Sequence, residues 1–140
     1  LAGAIRLKDQ SVLNSYGTTS YVSNQAGSSG GAISFEYSEV NLIGKASFED
    51  NFANASGGAV HLDKGSILRV DGTTSFAGNE ATNNGGAIYV SDSSVSVETA
   101  TLFEYNVAST GSGGGVYASS SVVALTGAVF TENRGVWGGG

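Results

Sequence analysis

A chain of 140 residues, 40% hydrophobic and only 13% charged, has enough apolar surface to bury a core as one domain over residues 1–140. Its net charge of -6, with six Lys and Arg that form no cluster, argues against nucleic acid or an anionic membrane surface as partner. No apolar run approaches the roughly 20 residues of a membrane helix, so no direct membrane insertion is expected of this segment, and with no cysteine there is neither a disulfide framework nor a thiolate metal site.

The first residues, Leu1-Ala2-Gly3-Ala4-Ile5, read as the end of a glycine-rich unit, and Gly138-Gly139-Gly140 stop inside another. Both ends therefore look like cuts in a longer array. Between them an aromatic residue stands at Tyr21, Phe48, Phe76, Phe103 and Phe130, and three residues after each comes an asparagine, at Asn24, Asn51, Asn79, Asn106 and Asn133. A pair of glycines follows, then a branched aliphatic residue at Ile33, Val60, Ile88 and Val116, preceded at the start of the chain by Ile5. Successive copies are 27 or 28 residues apart, the signature of a solenoid. Twenty-two glycines would suit a flexible linker, but they recur at fixed places between regularly spaced apolar residues, which argues against disorder.

Within each repeat the alternation of apolar and polar residues predicts three short strands, in the third repeat Val60 to Leu62, Leu68 to Val70 and Thr74 to Phe76. Aligned by their aromatic residues, the repeats give inward columns. Two apolar columns open each unit: Ile5, Ile33, Val60, Ile88, Val116, then Leu7, Phe35, Leu62, Val90, Ala118. Counting back from the aromatic gives Leu13, Val40, Leu68, Val95, Val122 and Ser15, Leu42, Val70, Val97, Ala124. A small column, Ala26, Ala53, Ala81, Ala108, Gly135, follows the asparagine and suits a tight corner. These patterns predict an all-β, right-handed parallel β-helix of about five coils, near 5–32, 33–59, 60–87, 88–115 and 116–140. The aromatics would stack in the core and the asparagines form a ladder, because an amide with two donors and one acceptor oxygen can bond to its copies and to turn backbone together. Paired glycines mark a corner needing positive φ or close approach of coils.

The tetrapeptides Phe48-Glu49-Asp50-Asn51 and Phe76-Ala77-Gly78-Asn79, each followed by Gly-Gly-Ala and a branched aliphatic, resemble the FxxN and GGA(I/L/V) repeats of the polymorphic outer membrane protein family, best known from chlamydiae. The chain departs from the pattern at Tyr21 and Gly115, and the family's carboxy-terminal membrane barrel is missing. The resemblance implies an autotransporter passenger: an extracellular or cell-surface rod acting in adhesion, with a host or neighbouring cell-surface protein or glycan as partner. Two other roles compete. Exposed terminal coils could self-associate into a filament or stalk, and many parallel β-helices degrade polysaccharides.

Catalysis has little material. Glu49 and Glu104 share an outward column but lie two coils apart, roughly 10 Å at the strand spacing, with Ala77 between them. The single histidine, His61, follows an inward residue and should point out, and no cofactor or metal motif occurs. The expectation is a non-enzymatic protein. A candidate binding face is the outward column Arg6, Ser34, His61, Tyr89, Tyr117, in which His61, Tyr89 and Tyr117 form a run of flat rings able to stack on sugars or dock a partner. Cross-coil packing of good strand formers is the plainer explanation of that run. Lys8 should pair with Glu36 across coils. One glycosylation sequon, Asn54-Ala55-Ser56, precedes Gly57 and matters only in a secreted, glycosylated context.

Overall fold

The computed structural model describes residues 3–140; Leu1 and Ala2 of the opening glycine-rich unit lie outside the described residues. The chain is all-β. Each coil contributes one strand to each of four parallel five-stranded sheets, so the molecule is a β-solenoid of five coils. In the third coil the strands are Val60–Asp63, Ile67–Val70, Thr74–Ala77 and Glu80–Ala81. Three of them are those the alternation predicts. The fourth was not expected as a strand: the small column after the asparagine is one side of a fourth sheet, formed by two-residue strands such as Phe52–Ala53 and Glu80–Ala81. Two residues cannot display an alternation, which is why the pattern concealed them.

Register follows the repeat. Phe48, Phe76 and Phe103 pair in successive strands of the third sheet, as do Thr74 and Thr101, and Ile33, Val60, Ile88 and Val116 align in the first. The inward columns make one continuous core in which Phe48, Phe76 and Phe103 are completely buried. Their rings stack at 4.6 to 4.8 Å with Tyr21 and Phe130 at either end, the spacing of the hydrogen-bonded strands themselves. Each buried ring contributes on the order of 2 kcal/mol.

The fifth coil corrects two predicted columns. Val123, not Val122, pairs with Val95, and Leu125, not Ala124, pairs with Val97. The turn between the second- and third-sheet strands is three residues long in the fourth coil, Glu98 to Ala100, but only Thr126 and Gly127 in the fifth. Counting back from Phe130 across that shortened turn slips the strand by one residue, which exchanges its inner and outer faces. Val122 is accordingly 74% exposed, while Val123 and Leu125 pack on the core.

The corners explain the motifs. The residue just before the asparagine has left-handed backbone in every coil, at Ser23, Asp50, Gly78, Tyr105 and Glu132, with φ from 52° to 63°. That reversal ends the third-sheet strand and turns the asparagine inward. At the glycine pair the two members do different work. Gly85 has φ of +67°, whereas a Cβ on Gly86 would lie 2.2 Å from the carbonyl oxygen of Gly114 in the next coil.

Candidate functional site

The asparagines hydrogen-bond from coil to coil. Asn79 Oδ1 accepts from both the backbone N–H of Asn51 (3.1 Å) and Asn51 Nδ2 (2.9 Å), while Asn79 Nδ2 donates to Phe48 O and to Asn106 Oδ1, each at 2.9 Å. Asn51 and Asn106 repeat the scheme, with Asn24 and Asn133 at its ends. Every polar atom of the central amide is used, at positions with no solvent exposure. Aspartate or serine offers no such pair of donors.

A second ladder, of serines, runs along the turn before the second sheet. The backbone N–H groups of Ser38, Ser66 and Ser93 donate to the hydroxyls of Ser66, Ser93 and Ser121, at 3.1 to 3.2 Å. The hydroxyl of Ser66 in turn donates to Asp63 O at 2.6 Å. The signal was present: a serine, at Ser11, Ser38, Ser66, Ser93 and Ser121, stands two residues before each inward residue that opens the second sheet. It was hidden by the abundance of serine elsewhere. Polar pairs also relieve the core in the first coil, where Ser15 and Thr19 point inward and bond to each other at 2.5 Å.

On the outer face of the first sheet, Arg6, Ser34, His61, Tyr89 and Tyr117 occupy one column, in register strand by strand. His61 and Tyr89 stack with ring centroids 4.9 Å apart and planes within 4°, and Tyr89 and Tyr117 at 5.4 Å and 11°. The three residues are half-buried. Their planes lie across the solenoid axis, so both faces of Tyr89 are covered by its neighbours and the column presents ring edges to solvent. Burial pushes the His61 imidazole below its ordinary pKa, against the opposing pull of Asp63 and Glu36. It is therefore neutral at pH 7.

Beside this column Glu36 gathers three cations. Its carboxylate pairs with Lys64, with Lys8 Nζ at 2.7 Å and with Arg6 at 3.5 Å, drawn from the coils on both sides. Hydrogen bonds from Lys64 and then Lys8 hold its pKa down to about 2. Only the Lys8 pairing was read from the sequence, because Lys64 sits in a turn one residue past its strand and Arg6 reaches diagonally.

The remaining candidates stand apart from this face. Glu49 and Glu104 flank Ala77 in the third sheet, one strand to either side. Among the described residues no three His, Asp or Glu side chains converge as metal ligands. Asn54 is exposed in the turn after the Phe52–Ala53 strand, while Ser56 of its sequon is largely buried and accepts from the backbone N–H of Asn84 at 3.4 Å.

The family model for the Chlamydia polymorphic membrane protein repeat matches residues 45–63, 73–91 and 100–119. The chain belongs to that family. Each matched polymorphic membrane protein repeat begins in or just before a third-sheet strand, passes the asparagine and the glycine corner, and ends in the first-sheet strand of the following coil. The family repeat thus joins two coils and carries the elements that couple them: the aromatic stack, the asparagine ladder and the close-approach glycine. His61, Tyr89 and Tyr117 each fall within the last residues of a match. Neither a curated protein nor a solved structure matches the polymorphic membrane protein repeats of this chain significantly.

Proposed function

We propose that this repeat array is a cell-surface attachment module of passenger type, displayed outside the cell, without catalytic activity, and presenting its first sheet to a protein or glycan on a host or neighbouring cell. Membership in the polymorphic membrane protein repeat family is the observation that carries this reading. The half-buried column His61, Tyr89, Tyr117 supports the choice of face, since it places flat, rigid side chains in line on one sheet. The separation of Glu49 from Glu104 by Ala77 supports a non-enzymatic role, because glycosidic chemistry needs converging carboxylates.

The test is attachment of the folded array to cultured cells. Replacing Tyr89 and Tyr117 together with serine removes two outward rings and no inward residue, so the thermal transition stays cooperative while bound protein falls several-fold. Undiminished attachment by the folded double variant would refute the choice of face.

A further inference from the structure

The outward column of the first sheet is bulky in every coil except one. Ser34 stands between Arg6 and His61, each one strand away, and its short side chain leaves a recess of about 220 Å³. His61 bounds that recess on the side of the ring stack. One face of its imidazole is covered by Tyr89 at 4.9 Å, and because the two planes are within 4° the opposite face is turned toward the coil of Ser34. Within the stack, then, the rings of Tyr89 lie covered on both sides, while His61 offers a free face over a hollow.

The polar lining decides what the hollow can take. Arg6 and Lys64 bring two cations, and Glu36 and Asp63 two carboxylates. Glu36 ion-pairs with both cations and, outside the recess, with Lys8. An anion would meet the two carboxylates and a cation the guanidinium and ammonium, so neither is favoured. A hydroxyl group suits both kinds of wall, since it donates to a carboxylate and accepts from Arg or Lys. Several hydroxyls beside an apolar C–H face, packed on a flat ring, are the chemistry of a sugar.

We propose that this recess binds one neutral pyranose residue, its ring lying against the free face of His61 and its hydroxyls bridging Glu36 and Asp63 to Arg6 and Lys64. The proposal rests on the reading of the first sheet as the attachment face, and it names the ligand class and moves the primary contact from the tyrosines to the Ser34 gap. Tyr89 and Tyr117 then act as the buttress that holds the imidazole flat.

The experiment is a titration of the isotope-labelled protein with methyl α-D-mannopyranoside, methyl β-D-galactopyranoside and methyl β-D-glucopyranoside, followed by amide chemical shifts, with sulfate as the anionic control. At least one glycoside shifts Ser34 and His61 saturably and sulfate does not. Ser34→Tyr fills the recess with a residue suited to a strand and abolishes the shifts. Glu36→Gln keeps the length of the side chain but removes the charge that gathers Arg6, Lys8 and Lys64, and weakens binding about tenfold or more, at least the loss of one charge-assisted hydrogen bond. Absence of shifts with all three glycosides, persistence of the shifts in folded Ser34→Tyr, or saturable binding of sulfate overturns the proposal. Cell attachment is measured in parallel. Sugar binding without cell attachment upholds the recess and overturns the attachment reading, whereas attachment through the tyrosine pair without sugar binding overturns the recess alone.

Discussion

Replacement of Asn79 by alanine is the sharpest probe of what couples the coils. Its side chain takes part in four hydrogen bonds, and the three asparagines of the inner ladder have no solvent exposure. Truncation leaves the Asn51 N–H without its acceptor, strips one of the two bonds from Asn51 Nδ2, and removes the amide donor to Phe48 O. Asn106 Oδ1 keeps the Asn79 backbone N–H. Three groups in a dry corner, at about 1 kcal/mol or more each, give an expected loss of about 3 kcal/mol. Asn24→Ala supplies the control. Asn24 donates to Asn51 Oδ1, which retains the Asn24 backbone N–H, so that truncation orphans no buried group and costs about 1 kcal/mol or less. Urea denaturation followed by far-ultraviolet circular dichroism reads both, with the slope checked so that a change in midpoint reports stability. Equal shifts for Asn79→Ala and Asn24→Ala, or an unmoved midpoint for Asn79→Ala, would refute the ladder as an energetic coupling.

Two further predictions follow from local geometry. Gly86→Ala drives a methyl group to 2.2 Å from Gly114 O and must push adjacent coils apart, so its melting point falls far more than that of Gly65→Ala, where the cost is only the left-handed backbone, about 1–2 kcal/mol; similar melts for the two variants would remove close approach as the reason for the second glycine. Glu36 titrates near 2 instead of its ordinary 4.5, so its contribution to stability is complete above about 4.5 and is lost as the pH falls toward about 2. Carbon-detected titration of the Glu36 carboxyl checks this, and a midpoint in the ordinary range would show that Lys64 and Lys8 do not hold it in solution.

The coil is written in the repeat, because a stack of identical turns repeats its chemistry at the chain period. Phe48, Phe76 and Phe103 recur with Asn51, Asn79 and Asn106 at the same offset, and one position of a coil can touch only its own copies above and below. Parallel pairing, the core columns of the first four coils and the outward ring column were legible for the same reason. Whatever depends on turn length or on side chains meeting off the column emerges only in the folded solenoid. The loss of one turn residue before Ala128 exchanged the faces of the Val122–Leu125 strand, and the Phe52–Ala53 strand is too short to show a period. Glu36 collects Arg6 and Lys64 from strands and turns that no single column relates. The orientation of the rings was likewise beyond the pattern: alternation points His61, Tyr89 and Tyr117 outward, but only packing at the strand spacing lays them flat on one another and leaves the hollow at Ser34.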